Sequence, residues 1–188
     1  HLINELPFPL DNEILKIGID FNVMNCNAVV CVTAGNKLIV VDEIVKQQDT
    51  DAMAREIRRR YGNNKIFVYP DASGAARSTI NASKTDIAIL ESYGFTSMAL
   101  RSNPPIKDRV QTLQAVLENS KGQIRMAIYA KATRLIECLE LQSYDEKTGD
   151  PDKQNGYDHL NDALGYLCYR EFNMIYSKAG QKTGIRIY

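Results

Sequence analysis

"ILKIGIDFN", residues 14–22, alternates in a way that decides how the chain folds. Ile17, Ile19 and Phe21 fall on one side of an extended strand, and Gly18, Asp20 and Asn22 on the other. A carboxylate in the middle of an apolar strand is costly unless it is paired or holds a cation. Asp20 is therefore either a structural acid with a partner or part of a site, and the strand alone leaves both open.

Downstream, "AVVCVTA" (28–34) and "KLIVVDEIV" (37–45) are two more strands, joined at Gly35-Asn36 by a tight turn. Together with 14–22 they predict an antiparallel meander. "DTDAMAREIRRRYG" (49–62) is a helix with cap oxygens at Asp49, Thr50 and Asp51 and a stop at Gly62. "KIFVY" (65–69) is short and wholly apolar, as expected of a strand buried on both faces in a parallel position. It runs into "PDASGAARS". A helix follows over about 84–93, then the strand "FTSMAL" and the loop "RSNPPIKDR". After these come the helix "KDRVQTLQAVLEN", the apolar segment "IRMAIY" and the helix "KATRLIECLELQ". The polar stretch 143–156 reads as a hairpin or loop. The last helix begins near Asp158 and runs to about Tyr176. Residues 1–13 read as a lead-in and 177–188 as a polar tail. A hairpin-built half followed by βαβ units predicts a single α/β domain whose mixed sheet is flanked by helices.

The totals agree with one domain of ordinary globular balance. Of 188 residues, 44% are hydrophobic and 24% charged, with 23 Lys plus Arg against 23 Asp plus Glu. Zero net charge excludes a histone-like DNA binder but not an enzyme with a local basic patch. Cys26, Cys31, Cys138 and Cys168 form no CxxC pair and read as buried free thiols. No apolar run is long enough to span a membrane, and no secretory signal is visible. The chain opens at "HLINELPFPL" without an initiator Met and is expected to be a piece of a longer protein.

Two further acids stand where chemistry is plausible. Asp71, in "YPDASG", follows the apolar strand, and α/β sheets bind ligands beyond the carboxyl ends of their strands. A turn or N-cap role suits it equally. In "YDHLNDALGY" (157–166), Leu160, Ala163, Leu164, Leu167 and Cys168 form the core stripe of the last helix. Asp162 lies about 200° from Leu160 and shares its side with His159, Tyr166 and Tyr169. A solvated face would look the same. Asp158 precedes the periodicity and suits an N-cap. Taken together, acids on a first strand, at the end of a fourth and on a last helix match the needs of hard divalent cations. Two such ions about 4 Å apart clamp the attacking and leaving oxygens of a phosphoryl displacement. A neighbouring histidine can orient water or shuttle a proton.

The order and motifs resemble the C-terminal nuclease domain of the large terminase subunit of tailed bacteriophages, an RNase H-like fold. "IGIDFN" (17–22), "VYPDASGA" (68–75), "NPPIKDRVQTLQAVL" (103–117) and "YDHLNDALGY" carry the resemblance, over about residues 14–176. It implies a five-to-seven-stranded mixed sheet. Asp20, Asp71 and Asp162 would be metal-binding catalytic acids, His159 a catalytic helper beside them, and Asp158 an auxiliary ligand. Two Mg²⁺ or Mn²⁺ ions would serve cleavage of concatemeric double-stranded DNA during packaging. The resemblance further implies an ATPase domain before residue 1, a small terminase subunit and a portal protein as partners, no membrane, and the cytoplasm of an infected bacterial host. No G-x-x-x-x-G-K-[ST] loop is present, so this chain alone should not hydrolyse ATP. Arg77, Lys84, Arg101, Lys107 and Arg109 are the expected phosphate contacts, and the Arg55–Arg60 run a solvated face. Other RNase H-like nucleases of resolvase or transposase type use such acids too. A non-catalytic docking module could carry them as caps and pairs. An actin-like or sugar-kinase fragment is disfavoured because no Gly-rich turn follows Asp20.

Overall fold

The computed structural model describes residues 1–22, 24–62, 64–75 and 85–172. The strands are β1 (Leu2–Ile3), β2 (Leu15–Asp20), β3 (Cys26–Ala34), β4 (Lys37–Gln47), β5 (Ile66–Pro70), β6 (Thr96–Ser97) and β7 (Met126–Tyr129). The helices are α1 (Thr50–Arg60), α2 (Asp86–Ser92), α3 (Ile106–Leu117), α4 (Thr133–Leu141) and α5 (Asp158–Phe172). The strands form one sheet in the order β1-β7-β4-β3-β2-β5-β6. The meander β2–β3–β4 is antiparallel, as its turn residues require, with Gly35 at φ 60 closing the β3–β4 hairpin. Every other pairing is parallel.

Two of the sequence expectations change. The lead-in is not wholly irregular, because Leu2 and Ile3 add an edge strand parallel to β7, the "IRMAIY" segment. "FTSMAL" supplies only two strand residues. The 177–188 tail, Arg77 and Lys84 lie outside the described residues. As expected, the polar stretch before α5 turns back on itself, through an antiparallel bridge between Tyr144 and Pro151. All four cysteines are buried and free. Among the described residues, no helix is long and apolar enough to cross a membrane.

The alternation of β2 divides the core in two. Leu15, Ile17 and Ile19 pack with Met53, Ile57 and Leu90 beneath α1 and α2. On the opposite face, β3 and β4 pack against Leu113, Leu135, Leu160 and Leu164 of α3, α4 and α5. α1 is started by Asp49, whose side chain accepts from the Ala52 N–H at 2.8 Å.

Gly18 sets how closely α5 lies on β2. A Cβ there would sit 2.0 Å from the Ala163 carbonyl oxygen and 2.8 Å from its carbon. Backbone cannot move aside as the end of a side chain can. The helix therefore touches the sheet where a side chain is missing, and Asp162 is the neighbour of the touching residue. Gly18→Ala should cost about 3 kcal/mol or prevent folding, the upper range for overpacking a core. Urea unfolding measures it, and a wild-type midpoint would contradict the packing.

Candidate active site

β2 and β5 are parallel neighbours, with Ile19 opposite Pro70, so their carboxyl ends coincide. Asp20 ends β2, and Asp71 follows β5 with its N–H donating to the Ile19 carbonyl at 3.1 Å. The start of α5 arrives at the same end and brings Asp158 and His159 from its first turn and Asp162 from its second. These five side chains line one cleft of about 470 Å³. Carboxylates in the first turn of a helix face its positive end, which favours their charge.

Each acid is held differently. Asp20, 5% exposed, accepts through Oδ2 from Asn22 Nδ2 at 2.5 Å and lies 3.1 Å from His159 Nδ1. Asp71 Oδ1 accepts from the Ser73 N–H and from Asn103 Nδ2, both at 2.6 Å. The turn alternative for Asp71 is thus true of its structure as well. Asp162, 7% exposed, accepts from Arg109 at 2.6 Å through Oδ1, while its Oδ2 lies 3.9 Å from Lys153 Nζ. Asp158, which suits an N-cap in the sequence, is 3% exposed. It is the first residue of α5; its Oδ2 lies 4.0 Å from Lys153, and its buried Oδ1 has no hydrogen-bond partner. A buried carboxylate oxygen without a donor is unfavourable, and a cation would relieve it.

The electrostatics reflect this crowding. Burial pushes the Asp162 carboxyl above the usual carboxylate range; Asp20 and Asp158 push the same way, and Arg109 and Lys153 pull back. The hydrogen bond to Asp20 raises His159 above its ordinary 6.5, against the effect of burial, with Asp158 and Asp162 adding to the rise.

Arg109 was expected on DNA phosphates. The structure buries it to 4% exposure, pairs it with Asp162 and stacks it on Tyr166, 4.5 Å from the ring centre. The signal was present: Arg109, Thr112, Leu113 and Val116 follow one buried helical stripe of α3. Gly165 makes room for it, since a Cβ there would lie 2.7 Å from Arg109 Cγ. Arg101 and Lys107 are exposed on the segment that also carries Asn103. Lys153, Asn22 and Asn103 line the cleft and went unnoticed in the sequence. Asn22 could have been found by its i+2 spacing from Asp20; Lys153, in a polar loop, gave no sign.

A mixed sheet of this order, with acids at the carboxyl ends of its central parallel strands and on the final helix, defines an RNase H-like protein. The chain belongs to the terminase RNaseH-like domain family, whose profile matches residues 17–171. Among solved structures it is similar to the large terminase of a thermophilic bacteriophage, with 17% identity and a TM-score of 0.69. That match covers 92% of this chain and 43% of that one. It is also similar to the P22 large terminase nuclease domain, at 16% identity and TM-score 0.64, covering 88% and 84% of the two chains. The nuclease domain of the large terminase from bacteriophage SPP1, solved with bound Mn, gives 18% identity and TM-score 0.56, covering 85% and 87%. At these identities the likeness is one of fold. The chain thus spans less than half the length of the thermophilic-phage terminase. No curated protein matches it in sequence.

The acids fit a divalent cation in their donor chemistry: four carboxylates, and one buried oxygen lacking a partner. Among the described residues, no three His, Cys, Asp or Glu side chains are arranged as a ready ligand set. Arg109, Lys153 and His159 occupy the acids instead.

Two expectations follow. His1 and His159 are the only histidines, so proton NMR can follow His159 directly. Its titration midpoint should lie above 6.5, and Asp20→Asn should lower it. Because the folded value is the raised one, the contribution of this contact to stability is complete below about pH 6.5 and fades as pH rises through the folded midpoint. An unshifted midpoint in the Asp20 variant would contradict the contact. Separately, Arg109→Met should destabilise by about 3 kcal/mol or more, because it strands a buried carboxylate, and adding Asp162→Asn should restore part of the loss. Denaturant melts of both variants decide it.

Proposed function

We propose that this chain is the DNA-cutting domain of a packaging terminase, a divalent-metal-dependent endonuclease that hydrolyses phosphodiesters of concatemeric double-stranded viral DNA. The observation that carries the proposal is the convergence of Asp20, Asp71, Asp158 and Asp162 in one cleft, in a chain of the terminase RNaseH-like family. Asp20, Asp71 and Asp162, with Asp158 beside them, would hold the cation site, filled by Mg²⁺ or Mn²⁺ and suited to two ions. Bound there, the metal supplies Lewis-acid polarisation of the phosphate and activation of water.

The chain's own side chains do the rest. Asn22 fixes the orientation of the Asp20 carboxylate, and Asn103 that of Asp71. Arg109 holds Asp162 facing the cleft from below and offsets one of its charges. His159, half-buried and hydrogen-bonded to Asp20, can hold or release a proton at the cleft near neutral pH. Lys153 offers an exposed ammonium beside Asp158 and Asp162, where a phosphate oxygen would enter. Arg101 and Lys107, on the rim, suit backbone contacts, and Arg77 and Lys84 remain proposed for the same role. An ATPase domain of the same polypeptide, a small subunit, a portal protein and the cytoplasm of an infected bacterium complete the proposed setting. The greater length of the thermophilic-phage terminase supports the first of these.

The test is cleavage of plasmid DNA with Mg²⁺ or Mn²⁺, with a chelator control. Asp20→Asn should fold normally, since Asn22 and His159 keep partners, and lose nearly all activity. Asp162→Asn should be inactive and bind the ion more weakly by calorimetry. His159→Ala should lose about 10²-fold, the usual worth of a proton-transfer group. Full cleavage by the Asp20 variant, or equal cleavage in the chelator, would refute the proposal.

A further inference from the structure

A second cleft, of about 450 Å³, lies on the far side of His159. His159 lines both, so one side chain forms a wall of each. Both carry amides and cations, but they differ in their acids. The first is walled by four aspartates. Among the described residues no carboxylate lines the second, which presents Asn25, Asn27, Lys46, Arg134 and Gly156.

The cations of this second cleft are built in. Cys26 pairs with Gln47 but Ala28 with Ile44, so β4 carries one extra residue there, a bulge. Lys46 sits in it at φ 54, and its N–H donates to Asn27 Oδ1 at 3.0 Å. Asn27, 4% exposed, also donates to the Asn25 carbonyl at 2.6 Å and to Asn25 Oδ1 at 3.2 Å, which leaves the NH₂ group of Asn25 as a donor. Across the cleft, Arg134 is steadied by Glu137 at 2.6 Å and by Tyr157, whose ring centre is 4.8 Å away. Two of its five N–H donors are engaged, one with Glu137 and one with the Gly156 carbonyl.

We infer that this cleft is a binding site for DNA backbone phosphates flanking the cut, with Lys46 and Arg134 as its cations and Asn25 as an amide donor. The inference rests on the nuclease reading of the neighbouring acids. With four aspartates against Arg109, Lys153 and His159, the first cleft attracts the phosphates beside the scissile one less than a cleft without described carboxylates does. The carboxyl end of β4 provides such a cleft. β4 is separated from β2 only by β3, so Lys46 stands about 10 Å across the sheet from Asp20. In a chain of zero net charge, such a local site also supplies attraction that the whole molecule lacks.

The experiment measures binding apart from cutting. A fluorescein-labelled DNA duplex is titrated by anisotropy with the Asp20→Asn protein over a series of salt concentrations. Lys46→Gln and Arg134→Gln are then introduced singly in that background. Lys37→Gln, at the opposite end of β4, removes the same charge as a control, and thermal melts confirm that each variant is folded. For each cleft variant the slope of log K against log salt should shrink by about 0.9, with weaker binding throughout, while Lys37→Gln leaves it unchanged. Unchanged slopes for folded Lys46→Gln and Arg134→Gln, or an equal change for Lys37→Gln, would overturn the inference. Plasmid cleavage by the wild-type protein is scored separately. Cleavage with unchanged slopes defeats the phosphate site alone, whereas reduced slopes without cleavage show phosphate binding in this cleft but overturn the nuclease reading and with it the place of the site beside a cut.

Discussion

The contact between the backbone of α5 at Ala163 and the bare Cα of Gly18 governs the rest of this structure. A helix resting on a sheet through side chains stands off by their thickness. Here it touches directly, and the first turn of α5 is drawn down beside the end of β2. Asp162, next to the point of contact, reaches the cleft that Asp20 lines from the strand. The parallel pairing of β2 with β5 delivers Asp71 to the same end. The cleft is therefore a product of one close approach and one strand register.

Bringing four aspartates together raises an electrostatic problem that the surrounding residues answer in part. Arg109 is buried to oppose Asp162, Lys153 leans in from the loop, and His159 takes on a raised affinity for its proton. Burial of Asp162 makes its charge expensive, and one oxygen of the buried Asp158 is left without a donor. Such a site is held short of neutrality by its own architecture, which favours the arrival of further positive charge. The two clefts differ in their acids: four aspartates line one, while among the described residues no carboxylate lines the other, and His159 lines both.

Much of this was legible beforehand. Period-two alternation exposed β2 and its inward acid, and the Gly35-Asn36 turn announced the meander. The all-apolar "KIFVY" marked the parallel strand, and the stripe of α5 separated Asp162 from the core leucines. Local patterns of this kind record which side of an element is dry, and the order of elements limits how they can pair. What a dry side faces is another matter. The polar side of α5 read equally well as a solvated surface, yet α3 covers it. Arg109 read as a free cation near DNA, yet its place on the buried stripe of α3 makes it the partner of Asp162.

The sequence by itself determined the elements, their order, the candidate acids and the family likeness, because each is written in near-neighbour spacing or in an ordered set of short motifs. Only the tertiary structure decided that Asp158 is buried, that Lys153 joins the acids, and that Lys46 and Arg134 line one cleft in which, among the described residues, no carboxylate stands. These depend on how closely backbones approach and on which charges meet over long separations in the chain. Neither is encoded in the periodicity of any one segment; both follow from the packing of α5 on β2 and of α3 on α5.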